Sequence, residues 1–79
     1  MGDTNSMINF RTVVTNAIGT TRECRDGAGM SSFTISANEV EGLAENLNQW
    51  WNENEYYENV ECTLEYAQEY FDETYPEVV

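Results

Sequence analysis

The stretch Ser36–Trp51, SANEVEGLAENLNQWW, decides how this sequence folds. Its first four residues have the form of a capping box, in which the Ser36 hydroxyl and the Glu39 carboxylate each satisfy a free backbone N–H. Apolar residues then recur every three or four positions, which is the period of one helix face. They are Val40, Leu43, Ala44, Leu47 and Trp51. The stretch therefore predicts a helix that ends between Asn52 and Asn54.

A second helix is predicted over Thr63–Thr74. Thr63 is a suitable N-cap residue, and Glu65 in the first turn interacts favourably with the helix dipole. Pro76 lies just beyond the predicted end of this helix, where proline is common. Its apolar stripe consists of Leu64, Ala67, Tyr70 and Phe71. Residues 55–62, between the two helices, are compatible with a loop, a short edge strand or an earlier helix start.

The part of the chain before these helices has the pattern of strands. Residues 8–15 alternate apolar and polar side chains, which is the period of a half-buried strand. A β-branched stretch follows over residues 20–25, and residues 30–36 place two apolar side chains on one face. The sequence DGAG at residues 26–29 is a strong turn signal between them. Residues 7–36 therefore predict a three-stranded antiparallel β-meander.

Together these elements predict an α+β fold, with the meander packed against two C-terminal α-helices. A chain of 79 residues has room for one small domain, which buries only about 60% of its unfolded surface. We expect a single domain over residues 1–79, with residues 1–6 disordered and residues 37–75 forming an acidic helical half.

The charge of the chain is concentrated in its second half. The net charge is −12, and residues 38–79 contain twelve carboxylates and neither lysine nor arginine. This excludes direct binding to nucleic acid or to an anionic membrane surface, because nothing there neutralises phosphates. No membrane span and no secretory signal is visible, so we expect a cytoplasmic protein.

The residues that most enzymes need are missing. Without histidine or lysine, the chain has no usual general base, no Schiff-base residue and no catalytic triad. Cys24 and Cys62 are too few for a zinc site or a disulfide scaffold. The run Asn52–Glu55 lacks the glycine and the final glutamate of a calcium loop. We expect no enzymatic activity, no metal and no cofactor.

The carboxylates instead predict a surface that binds a basic partner. Glu65, Glu69 and Glu73 follow one another at four-residue spacing, a rise of about 6 Å per step, which is comparable with the spacing of phosphates along a nucleic-acid strand. A face that served solubility alone would mix charges of both signs. The aromatic residues between positions 50 and 75 either anchor an interface or complete a thin core.

The predicted partner-binding residues combine these acids with neighbouring tyrosines. They are Glu53, Glu55, Tyr56, Tyr57, Glu58, Glu61, Glu65, Tyr66, Glu69 and Asp72.

Residues 35–71 resemble the helical half of a family of phage-encoded inhibitors. The resemblance rests on Ile35-Ser36 with Glu39, on WWNENEYY at residues 50–57 and on EYAQEYF at residues 65–71. It covers about half of the chain. The family is the small acidic DNA mimics, particularly the type II-A anti-CRISPR proteins that occupy the PAM-reading site of Cas9. The N-terminal helix of that family has no predicted counterpart in this chain.

The resemblance implies a non-enzymatic inhibitor whose carboxylates take the places of phosphates. Its partner would be a basic nucleic-acid-binding protein of bacterial defence, such as Cas9 or a Cascade subunit, and arginines that read the PAM would be a docking point. It would act in the cytoplasm of the host cell, as a monomer or a homodimer.

Two other functions fit the same sequence. The first is a small acidic interaction module, such as an adaptor or a phage assembly factor, which binds a basic partner without competing with nucleic acid. The second is a dimeric structural protein that associates through its exposed aromatic residues.

Overall fold

The structure, a computed structural model, describes residues 4–26, 29–57 and 59–78 and consists there of three α-helices and a β-hairpin. The elements are α1 (Thr4–Asn16), β1 (Thr21–Asp26), β2 (Gly29–Thr34), α2 (Val40–Glu53) and α3 (Leu64–Thr74). Short 3-10 turns occupy Ala37–Glu39 and Glu55–Tyr57. Helix α1 packs against both α2 and α3, so it lies at the centre of the helical layer.

Residues 4–16 form a helix, so the prediction of a strand over residues 8–15 is wrong. The buried side chains of this segment recur at helical intervals. They are Phe10, Val13, Val14 and Ala17. Ile8, which the strand would have placed on the same face, is 56% exposed. The hydroxyls of Thr12 and Thr15 each donate to the carbonyl four residues earlier, at 3.0 and 2.7 Å, an arrangement that accommodates threonine in a helix. Packing against two other helices therefore overrides the β-propensity of the segment.

Helix α1 also changes two expectations about the N-terminal region. The expected absence of an N-terminal helix is wrong. Residues 4–6, which were expected to be disordered, form its first turn, and the Ser6 side chain is buried and hydrogen-bonds to Asn48 on α2. Residues 1–3 lie outside the described part of the chain. The helix gives way to a turn in which Gly19 has a φ of +92°, a conformation that suits glycine.

In the described ranges the sheet has two strands, so the predicted three-stranded meander with two helices is wrong. The second and third predicted strands correspond to β1 and β2, which pair antiparallel from Thr21 opposite Thr34 to Asp26 opposite Gly29. The DGAG turn signal lies at the end of this hairpin, although residues 27–28 fall outside the described ranges. The first predicted strand is α1, and its loss accounts for the difference.

The C-terminal segment, rather than the N-terminal one, extends the sheet. Glu77 forms an isolated antiparallel bridge with Arg22 on β1. The N–H of Glu23 donates to the carbonyl of Pro76 at 2.9 Å, and the N–H of Val78 donates to the carbonyl of Thr21 at 2.8 Å. These bonds attach the segment after α3 to the free edge of β1.

The two C-terminal helices are present where the sequence predicts them. The Ser36 N–H and hydroxyl donate to the Glu39 carboxylate at 3.3 and 2.9 Å. This capping pair belongs to the 3-10 turn that leads into α2. At the start of α3, the Thr63 hydroxyl accepts from the N–H of Tyr66 at 3.2 Å. The predicted capping residues Ser36 and Thr63 thus lie at the starts of the two helical segments.

The core lies between the three helices and extends under the hairpin. Its buried hydrophobic residues are Phe10, Val13, Val14, Ala17, Ile35, Ala44, Leu47, Trp51, Cys62, Ala67, Phe71 and Tyr75. Cys62 is fully buried, and Cys24 packs against the cluster from the hairpin, as small apolar side chains do.

Candidate protein-binding surface

A cleft of about 190 Å³ lies between the end of α2 and the exposed side of α3. Its lining residues are Trp51, Tyr56, Tyr57, Tyr66, Glu69, Tyr70 and Glu73. We call it the aromatic cleft. Pockets that hold small molecules typically have volumes of about 300–1,000 Å³. The aromatic cleft is smaller, and its volume suits a single side chain rather than a cofactor.

The aromatic cleft is created by a tight reversal of the chain after α2. The Asn54 side chain accepts from the N–H of Tyr56 at 2.9 Å, and the Asn54 carbonyl accepts from the N–H of Tyr57 at 3.0 Å. The turn brings the Tyr57 ring back onto Trp51, with centroids 4.1 Å apart and planes inclined by 14°. In the segment that the sequence leaves open, residues 55–57 thus form a 3-10 turn and residues 59–62 belong to a loop.

The rings of the cleft range from buried to exposed. Trp51 is 2% exposed, and Tyr70 meets it at a right angle with centroids 5.4 Å apart. Tyr57 and Tyr70 are half-buried and also meet edge to face, at 5.6 Å. Tyr56 and Tyr66, by contrast, are 80% and 46% exposed. The cleft therefore has a fixed interior, held by packing, and an entrance of accessible aromatic surface.

Two carboxylates give the aromatic cleft a negative potential. Burial raises the pKa of Tyr57, and the charges of Glu73 and Glu69 raise it further. Burial also raises the pKa of Tyr70, to which Glu73 adds a smaller effect. A negative charge disfavours ionisation of a nearby phenol. Glu69 and Glu73 therefore both act on the Tyr57 hydroxyl, and Glu73 acts on that of Tyr70 as well.

The exposed side of α3 carries the acidic ridge that the sequence describes. Glu65, Glu69 and Glu73 are all exposed at four-residue spacing along the helix. Glu53 is exposed at the end of α2, and Glu55 and Glu61 are exposed in residues 54–63, which we call the connector. Glu58, also predicted to bind the partner, lies outside the described residues.

Among the described carboxylates that were predicted as contacts, Asp72 differs because it forms an ion pair within the fold. It accepts from the buried Arg22 guanidinium at 2.8 Å and from the Gln68 amide at 3.1 and 3.2 Å. Its side chain is 50% exposed, so part of it remains accessible. The first role of Asp72 is to compensate a buried charge.

The other described arginine side chain is paired as well. Arg11 donates two hydrogen bonds of 2.9 Å to the Glu41 carboxylate. This bidentate pair lowers the pKa of Glu41 and raises that of Arg11. Arg11 pairs with Glu41, and Arg22 pairs with Asp72. No described arginine side chain therefore pairs with the other carboxylates of α3 and the connector.

The structure thus brings together four of the predicted contacts, Tyr56, Tyr57, Tyr66 and Glu69, in one cleft. The predicted site residues do not include Trp51, Tyr70 or Glu73. The two aromatic residues belong to helix stripes and were assigned to the core. Glu73 could have been included among the site residues, because it lies four residues after Glu69 in the acidic ridge.

A second recess of about 400 Å³ lies between β1 and the end of α3. It is lined by Glu23, Cys24, Trp50, Glu73, Thr74, Tyr75 and Pro76. It is larger than the aromatic cleft, but Trp50 and Tyr75 are its only aromatic lining residues. Glu73 borders both recesses.

Two kinds of site are not found in residues 4–26, 29–57 and 59–78. No three side chains of the metal-binding types are grouped there so that they could share an ion. None of the helices in those ranges combines the length and the apolar character that a membrane crossing requires.

Comparison of the chain with protein-family models, with curated proteins and with solved structures gives no match.

Proposed function

We propose that this protein is a non-enzymatic inhibitor that occupies the nucleic-acid-binding site of a basic protein with its acidic surface. The favoured target is a bacterial defence nuclease such as a CRISPR effector, the target class that the sequence resemblance implies. The protein would act in the host cytoplasm as a DNA mimic.

One observation carries the proposal: apart from Asp72, the exposed carboxylates of α3 and the connector have no cationic neighbour among the described side chains. Glu61, Glu65 and Glu69 are exposed, while Arg11 and Arg22 are held by Glu41 and Asp72. A field of one sign accelerates association with an oppositely charged groove and makes the rate fall as salt is added.

Carboxylates are suited to this role because arginine binds them as it binds phosphates. The planar guanidinium forms two parallel hydrogen bonds with either group. A groove that positions arginines for phosphates or for base edges therefore offers ready partners for Glu65 and Glu69.

The aromatic cleft favours a second candidate function, an acidic interaction module that does not compete with nucleic acid. Phosphate mimicry alone does not require a recess lined by five aromatic rings. An adaptor that binds one side chain of a basic partner would use such a recess.

Competition with DNA separates the two functions. The immobilised protein is incubated with nuclease-treated bacterial lysate at low and at high salt, and double-stranded DNA is added to the bound fraction. If the protein is an inhibitor of this kind, it should capture a basic nucleic-acid enzyme at low salt, and DNA should release that enzyme. A captured partner that DNA cannot displace contradicts this function and supports the adaptor.

A matched pair of charge reversals tests the surface itself. Glu61→Lys with Glu65→Lys changes two exposed positions outside the aromatic cleft, and Glu45→Lys with Glu77→Lys makes the same charge change elsewhere. The first variant should lose the captured enzyme while the second retains it, both with unchanged circular dichroism. Equal binding by the two would contradict the assigned surface.

A further inference from the structure

We propose that the aromatic cleft receives the guanidinium group of a single arginine presented by the partner protein. This inference deepens the proposed function, and it rests on that function for the basic character of the partner.

The lining of the cleft supplies both interactions that a guanidinium makes in proteins. A cation is attracted to the face of an aromatic ring, and Trp and Tyr are the strongest such partners. The exposed rings of Tyr56 and Tyr66 lie at the entrance and offer accessible faces, whereas Trp51 is stacked on Tyr57 and forms the buried wall of the cleft. Glu69 and Glu73 add carboxylates that can accept the N–H donors.

The same chemistry already exists elsewhere in this protein. The Arg22 guanidinium lies 4.5 Å from the centre of the Phe71 ring and donates to Asp72 at 2.8 Å. It is thus held between a ring and a carboxylate of α3, the helix that also contributes Glu69 and Glu73 to the cleft.

The lining favours arginine over other cationic groups. A quaternary ammonium has no N–H to donate and would leave the two carboxylates without hydrogen bonds, whereas a guanidinium has five donors. The lysine ammonium is more strongly hydrated and does not stack on rings as a planar guanidinium does. The volume of about 190 Å³ lies below the roughly 300 Å³ of the smallest usual small-molecule pockets, which suits a side-chain head group.

A peptide titration of the whole protein tests the assignment without a known target. The probe is acetyl-Gly-Arg-Gly-amide, and its matched control is the same peptide with citrulline, which has nearly the same shape and no charge. Two-dimensional NMR should show saturable shifts at the Trp51 indole and at the amides of Glu69 and Tyr70 with arginine, and not with citrulline. Lysine should bind several-fold more weakly.

A pair of protein variants localises the effect. Glu69→Gln with Glu73→Gln keeps the shape of the cleft and should weaken arginine binding about tenfold. Glu45→Gln with Glu77→Gln removes the same charge outside the cleft and should leave it within about twofold. Equal weakening by both variants would show a general charge effect and overturn the proposal, as would tighter binding of a trimethyl-lysine peptide.

Two experimental outcomes distinguish a failure of the arginine site from a failure of the proposed inhibitor function. If DNA displaces the captured enzyme but the Glu69→Gln, Glu73→Gln variant captures it as well as the unmodified protein does, the arginine site is wrong and the inhibitor stands. If the arginine peptide binds the cleft but DNA does not displace the partner, the inhibitor is wrong and the arginine site stands.

Discussion

Arg22 on β1 and Asp72 on α3 are joined by a 2.8 Å hydrogen bond across fifty residues of sequence. The Arg22 side chain is only 6% exposed, whereas that of Asp72 is 50% exposed. Arg22 also donates to the Tyr75 carbonyl at 3.2 Å and to the Thr20 hydroxyl at 3.1 Å. One buried cation thus connects the hairpin to the end of the third helix.

Removing Asp72 should therefore destabilise the fold. Asp72→Ala leaves the buried guanidinium without its carboxylate and should lower the free energy of unfolding by about 2 kcal/mol, less than for a fully buried pair because Asp72 is half-exposed. Glu69→Ala removes the same charge from the same helix and should change it by less than about 0.5 kcal/mol. Urea unfolding followed by tryptophan fluorescence measures both, and equal effects would mean that Asp72 only contributes charge.

The helical conformation of α1 gives a second prediction. Val14 is fully buried and Ile8 is 56% exposed. Val14→Ala should cost about 2 kcal/mol, from the lost burial and the cavity that remains. Ile8→Ala should cost less than about 0.5 kcal/mol. A strand would bury both side chains, so similar losses in thermal or urea unfolding would argue against the helix.

The N-cap of α3 is also open to a direct test. Thr63 accepts from the N–H of Tyr66 at 3.2 Å, and Thr63→Ala should cost about 1 kcal/mol of stability. Thr63→Ser retains the hydroxyl and should restore most of it. Because Tyr66 lines the aromatic cleft, the alanine variant should also broaden the Tyr66 resonances. A serine variant as unstable as the alanine variant would contradict a capping role.

The tyrosines provide a prediction about alkaline pH. Burial raises the pKa of Tyr57, Tyr70 and Tyr75 in the folded protein. Their contribution to stability is complete below the unfolded-state value of about 10 and is lost as the pH rises through the higher folded-state values. Absorbance titration at alkaline pH should show phenols that ionise late in the native protein and normally in denaturant.

One substitution isolates the electrostatic part of that shift. The charge of Glu73 is the second cause, after burial, of the raised pKa of Tyr57. Glu73→Gln should therefore lower the pKa of Tyr57 without altering its contact with Trp51. Tyrosine-selective NMR titration measures the change, and an unmoved Tyr57 would place the carboxylate away from the cleft.

The parts of the fold that local signals specify could be predicted from the sequence. The capping residues Ser36 and Thr63 locate the starts of the two C-terminal helical segments, and the hairpin follows from its turn residues. The segment around Val13 and Val14 could not be assigned, because its threonine and valine content favours a strand in isolation. Only packing against two helices more than twenty residues away makes the helix the lower-energy state.

The aromatic cleft shows the same limit. The position of the tyrosines among acids predicts that they and the neighbouring carboxylates bind a partner. Their convergence depends on the turn at Asn54, which folds Tyr57 back onto Trp51. The ion pair between Arg22 and Asp72 could not be predicted either, because a contact between residues fifty positions apart produces no periodic pattern in the sequence.

The central place of α1 has a consequence for synthesis of the protein. Both helices that cover it follow it in the chain, and α3 begins roughly fifty residues after α1 ends. At a translation rate of about 5–20 residues per second, the helix that covers Phe10 and Val14 is synthesised about 3–10 s after α1. During this interval the apolar face of α1 is accessible to aggregation and to chaperones that bind apolar segments.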